Sequence, residues 1–155
     1  MELEFIPGII GKRAMLRALE LARQSLLDGE VPVGAVIERH GQIIGEGRNR
    51  REALKSPLGH AEIEAIHSAC QRLGDWRLYG CRMYVTLEPC PMCAGAAVNA
   101  RLKGIVYGAD DLAQGCCGSA MDVTRFLPGM QVYRGFMQED AEEQLRLFFQ
   151  QLREN

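Results

Sequence analysis

The chain has 155 residues, with charges mixed in sign and a formal net charge of −2 at pH 7. That balance excludes a global basic field of the kind that gathers nucleic acid, although a local patch is enough for such a partner. The length suits one domain with room for a three-layer core, so residues 1–155 read as a single unit.

No apolar stretch approaches a membrane span, and the start MELEFIPGII lacks the basic residues and cleavage site of a signal peptide. A cytoplasmic protein with no membrane partner is predicted. Six cysteines in such a chain, with ample core residues, read as thiols or metal ligands rather than three disulfides. Cys70 and Cys81 fall in helix and strand patterns and read as core residues.

From Gly11 to Asp28, Met15, Leu16, Leu19, Ala22, Leu26 and Leu27 recur at helical spacing, and Gly29 supplies a stop. VPVGAVIERHGQIIGEGRNR follows as two β-rich runs around His40 and Gly41, which predicts a hairpin with His40 as a turn residue. Arg48, Arg50, Arg51 and Lys55 then form the densest basic cluster, around Asn49 and before the breaker Pro57. A solvated loop and a phosphate-contacting loop fit it equally. A helix is predicted from about His60 to Leu73, closed by Gly74.

Tyr84 to Leu87 are β-favouring and alternate poorly, which predicts a strand buried on both faces. Pro89 ends that strand, and Pro91 lies just inside a helix start, so Cys90 and Cys93 sit at a strand-to-helix corner. Residues three apart on a first helical turn share a face, and the positive end of the helix favours thiolate. Two thiolates aimed at one point make half of a metal site.

Gly104 to Gly108 reads as a short strand, Ala109 to Pro128 as a glycine-rich loop with one helical turn near Met121, and Val132 to Phe136 as a last strand. Gln138 to Arg153 is a final helix on which the adjacent Phe148 and Phe149 point about 100° apart, one into the core and one free to line a site. Helix, hairpin, helix, strand, helix, strand, strand, helix gives an α/β protein, a mixed sheet of about five strands with helices on both faces.

A zinc ion on two cysteines wants another protein ligand, and His60 stands out because it begins a helix and precedes Glu62 by two residues. Glu is a poor ligand beside soft thiolates but a good proton carrier beside a metal-bound water. Read so, His60, Cys90 and Cys93 hold the metal and leave one position open. Two other readings remain. A structural zinc site closed by Cys116 or Cys117 leaves Glu62 without a role, and a CxxC redox pair leaves His60 and Glu62 unused. His67 and Trp76 read as satisfied or packing residues, and Cys116 and Cys117 as small loop residues.

H-A-E at His60 to Glu62 with P-C-x-x-C at Pro89 to Cys93 resembles the signature of the zinc nucleobase deaminases. Beyond it, EVPVGAVI from Glu30, GEGRNR from Gly45, GHAEI from Gly59, YVTLEPCPMCAGA from Tyr84, GS-x-MDV from Gly118 and the C-terminal FF resemble the bacterial tRNA-specific adenosine deaminases. The resemblance implies a three-layer α/β/α cytidine-deaminase-like fold, one Zn2+ per subunit on His60, Cys90 and Cys93, and a homodimer. It implies hydrolytic conversion of adenosine to inosine at the wobble position of a tRNA anticodon loop, a zinc-bound hydroxide attacking C6 while Glu62 shuttles protons.

Carried over by position, it also implies Asn49, Val33, Ala61, Asp111 and Phe149 as substrate contacts, with Arg48, Arg50, Arg51 and Lys55 available to RNA. The chain departs from its relatives at Asp110 and Ala113, where they often carry basic residues, and in a tail reduced to Arg153 before Glu154. Deamination of a free base or nucleoside of guanine or cytidine type would use the same catalytic residues, and differs in whether the rim binds phosphates.

Overall fold

The computed structural model describes residues 5–155. Helix α1 (Ile9–Leu27) leads through Gly29, at φ +79°, into strands β1 (Gly34–Arg39) and β2 (Gln42–Arg48). Their turn has positive φ at both His40 (51°) and Gly41 (80°), the left-handed pair that matches strand twist in a two-residue hairpin. A short helix α2 (Arg51–Leu54) precedes α3 (Ala61–Leu73), β3 (Arg82–Leu87), α4 (Pro91–Asn99) and β4 (Gly104–Ala109). After a long loop come β5 (Gln131–Tyr133) and α5 (Gln138–Glu154).

The sheet order is β2-β1-β3-β4-β5, with β1 antiparallel to both neighbours and β3, β4 and β5 parallel. This is the expected mixed five-stranded sheet. Its central strands are buried on both faces because side chains alternate. Val36, Tyr84 and Val106 pack with the α1 and α5 residues Met15, Ala18 and Ala141, whereas Ile37, Met83 and Ile105 pack with Ala65 and Ala69 of α3 and Ala97 of α4. The molecule is therefore a three-layer α/β/α sandwich.

The closeness of α3 to the sheet follows from two glycines of β2. A Cβ at Gly47 would meet the Ala61 carbonyl oxygen and lie 2.7 Å from the Ala65 nitrogen, and one at Gly45 would lie 2.8 Å from the Ala69 nitrogen. Glycine on the strand and alanine on the helix let two backbones approach where larger residues would hold them apart. That approach fixes where His60, at the start of α3, arrives.

Three expectations need correcting. The basic stretch after Asn49 is not wholly loop: Glu30 accepts hydrogen bonds from the Glu52 and Ala53 backbone nitrogens (2.8 and 3.1 Å) and so organises α2 from 22 residues away. The helical turn lies at Thr124–Phe126 rather than near Met121, and the Asp122 carboxylate, just before it, accepts from the Thr124 backbone nitrogen at 3.0 Å. The last strand ends at Tyr133, since Gly135 turns at φ +77° and Phe136 donates back to the Tyr107 carbonyl at 3.0 Å.

Candidate active site

The site forms at the end of the sheet where β3 and β4 finish and β1 begins. Strand β3 stops at Leu87, Glu88 and Pro89 follow, and Cys90 is the extended N-cap of α4 with Pro91 as its first helical residue. Cys93 lies one turn in and is fully buried. His60 is the extended N-cap of α3. Its Nδ1 stands 3.6 Å from the Cys90 Sγ and 3.5 Å from the Cys93 Sγ, and the ligand atoms of all three residues lie within 4.8 Å of one another. Cys116 and Cys117 are buried nearby in the loop but are not part of this group.

The electrostatics suit a cation. The Cys90 thiol, hydrogen-bonded first by Cys93 and then by His60, is held at about 4 despite its partial burial. The same pairing, together with burial, pushes Cys93 far above the ordinary thiol range. The bond to Cys90 also raises His60 above its usual value. Glu62, on the first turn of α3 and only 4 % exposed, is pushed up to about 7, mainly by desolvation.

His60, Glu62 and Cys90 open onto a pocket of about 120 Å³. Its lining brings together Val33, Asn49, Ala61 and Asp111 with His60, Glu62 and Cys90. Asn49 is locked in orientation: its Nδ2 donates to the Val31 carbonyl at 3.1 Å and its Oδ1 accepts from the Arg51 backbone nitrogen at 3.1 Å. One amide hydrogen and one lone pair remain for a ligand.

The basic cluster divides. Arg48 donates to Asp28 at 2.5 Å and Arg50 is paired with Glu64, so neither reaches the pocket, whereas the exposed Arg51 lines it. Lys55 is exposed on α2, away from the lining. Phe149 does not join the site either. It is half-exposed on α5, edge-on to Phe148 with ring centroids 5.3 Å apart, while the pocket lies at the ends of α3 and α4 on the other face of the sheet.

Glu88 escaped the sequence reading. It lines the pocket, is 2 % exposed, and accepts hydrogen bonds from the backbone nitrogens of Asp111 (3.1 Å), Cys117 (3.0 Å) and Ser119 (3.1 Å) and from the Ser119 hydroxyl (2.5 Å). The available signal was a glutamate at a buried strand end, directly before the Pro89-Cys90 corner.

Fold and site together define a deaminase. The family model of the MafB19-like deaminases matches residues 11–153. The chain is 43 % identical over 142 residues to the tRNA-specific adenosine deaminase of Bacillus subtilis, covering 90 % of this chain and 88 % of the relative. A solved structure from studies of A-to-I editing by tRNA:A34 deaminases superposes with a TM-score of 0.79 at 39 % identity, covering 86 % of this chain and 99 % of that one. The guanine deaminase of Bacillus subtilis gives a TM-score of 0.62 at 42 % identity over 64 % of each chain. The chain belongs to the family of the tRNA-specific adenosine deaminases.

Proposed function

We propose that the protein converts adenosine to inosine in the anticodon loop of a tRNA, at the wobble position, by the balanced reaction of adenosine and water to inosine and ammonia. The observation that carries the reading is the His60, Cys90 and Cys93 group, of which His60 and Cys90 line one pocket together with buried Glu62. Two sulfurs and an imidazole are the donor set zinc prefers, and three protein ligands leave a fourth position for water. One zinc ion per chain, held there, would act as a Lewis acid that brings the pKa of water to near neutrality.

The chain's own residues account for the rest. Glu62, buried on the first turn of α3 beside the three ligands, has its carboxyl raised by desolvation and is placed to take and give protons at the reacting centre. It accepts a proton from the attacking water and delivers it to the ring nitrogen beside the attacked carbon, then takes the remaining proton from the hydroxyl now on that carbon and passes it to the amine, which leaves as ammonia while the carbonyl forms. Asn49 offers its remaining donor and acceptor to the base edge, while Val33 and the backbone of Ala61 flank the ring. Asp111, on the loop opposite, faces the neighbouring nucleotides.

A base in a loop must be splayed out of its stack to enter such a pocket, which suits a single-stranded substrate. The Arg48 and Arg50 ion pairs narrow the proposed phosphate contacts to Arg51 at the rim and Lys55 on α2. Homodimerisation and a cytoplasmic location follow from the tRNA reading; among the described residues no helix is long and apolar enough to cross a membrane.

A free purine base is the second reading, favoured by the likeness to guanine deaminase. Zinc-loaded protein given an anticodon stem-loop, adenosine, guanine and cytidine in parallel separates the two. Inosine in the stem-loop alone supports the tRNA reading, and turnover of guanine or cytidine with an untouched stem-loop overturns it.

A further inference from the structure

The loop from Asp111 to Ser119 forms one wall of the pocket yet has no regular secondary structure apart from the isolated bridge of Cys117 with Asp122. What holds it is a single side chain. Glu88 reaches from the end of β3 and receives four donors, at Asp111, Cys117 and twice at Ser119, so both of its oxygens are engaged at 2.5 to 3.1 Å. The loop winds closely around it: a Cβ at Gly115 would stand 2.5 Å from the Glu88 Oε1. Cys116 closes the same turn by donating to the Pro89 carbonyl at 2.8 Å, directly before Cys90.

We propose that Glu88 is a positioning residue for substrate, setting the shape of the 111–119 wall and thereby how firmly the target nucleotide and its neighbours are held. The kinetic part of this inference rests on the adenosine deaminase reading; the structural part does not. A carboxylate is suited to the task because every partner is a donor and it presents only acceptors. An amide of the same shape must turn its NH2 toward donors on one side. If that side faces Ser119 Oγ the hydroxyl can rotate to accept, but the Asp111 N–H loses its partner; if it faces the other oxygen position, Cys117 and Ser119 nitrogens lose theirs. Because the wall carries Asp111 and Gln114 into the pocket lining, the loss is felt by the ligand rather than by the sheet.

The test compares zinc-loaded wild type, Glu88→Gln and Ser119→Ala on an adenosine-containing anticodon stem-loop, with metal content and peptide-resolved hydrogen exchange measured on the same samples. For Glu88→Gln we expect kcat/KM to fall about 10-fold or more, carried largely by KM, for the loss of at least one charge-assisted bond. Metal content should stay at the wild-type level, and exchange should accelerate in peptides covering residues 110–120 while β3 and β4 stay protected. Ser119→Ala, which removes one donor and leaves the carboxylate in place, should move in the same direction by roughly 3- to 5-fold. It carries the test should Glu88→Gln fail to fold.

The proposal is overturned if exchange in 110–120 is unchanged, if it rises equally across the sheet, or if stability falls with KM intact. Wild type that makes no inosine would sink the adenosine reading, whereas the exchange pattern would still decide whether Glu88 holds the loop.

Discussion

The route from fold to chemistry runs through Gly47, and Gly47→Ala is the substitution that exposes it. The new methyl would meet the Ala61 carbonyl oxygen, 2.7 Å from the Ala65 nitrogen and 2.8 Å from the Glu64 Cβ. The first two are helix backbone atoms, which cannot rotate away, so α3 must withdraw by roughly 1 Å to restore contacts of about 3.3 Å. Overpacking of this kind costs about 2 kcal/mol, or roughly 4–8 °C in Tm for a chain of this size.

The larger effect falls on the site. His60 and Glu62 ride on the first turn of α3, whereas Cys90 and Cys93 ride on α4, so a shift of α3 alone pulls the imidazole from the two sulfurs. A misplacement of about 1 Å at a catalytic group is worth on the order of 100-fold in rate. The assay pairs zinc affinity, by competition with a chromophoric chelator, with turnover of the stem-loop. Gly47→Ala should weaken zinc and cut turnover far more than its Tm loss explains. Wild-type affinity and turnover in a folded Gly47→Ala protein would refute the claim that the glycine sets the position of His60.

Other consequences are open to measurement. Glu62→Ala should retain zinc, read by atomic absorption, and lose turnover by about 10²- to 10⁴-fold, the range of general acid–base catalysis. Glu30→Gln sets an amide NH2 against one of the Glu52 and Ala53 nitrogens. Leaving such a group unpaired costs about 1–3 kcal/mol, seen in a denaturant melt, and should raise KM for the stem-loop through disorder of α2 around Arg51. Arg51→Glu should raise KM more steeply at low salt than at high salt, as loss of a phosphate contact requires, whereas Arg50→Gln should act through stability because Arg50 already serves Glu64.

Much of this architecture could be read from residue order. The hairpin at His40-Gly41, the helix from His60 and the Pro-bracketed corner at Cys90 all carry local signals in proline, glycine and hydrophobic period, and the structure places them as expected. Each half of the His60, Cys90 and Cys93 group was legible from local spacing, two cysteines one helical turn apart and a histidine two residues before a glutamate, and the resemblance to the deaminase signature joined the halves across 30 residues. What escaped were interactions joining distant segments through side chain to backbone. Helix α2 depends on Glu30 and the 111–119 wall on Glu88, and no local pattern shows which distant backbone nitrogens either glutamate receives. The pairing of Arg48 with Asp28 and Arg50 with Glu64 escaped for the same reason, so a cluster that reads as four cations presents only Arg51 to the pocket.

The most direct test of the central claim is to follow the oxygen. Zinc-loaded protein is incubated in water carrying a heavy oxygen isotope with an anticodon stem-loop bearing adenosine at the wobble position, and the digested nucleosides are resolved by mass spectrometry. Inosine should bear the heavy oxygen and match the ammonia released in amount, and both should form about 10²- to 10⁴-fold more slowly with Glu62→Ala. Unmodified adenosine after exposure to protein holding one zinc per chain would contradict that claim.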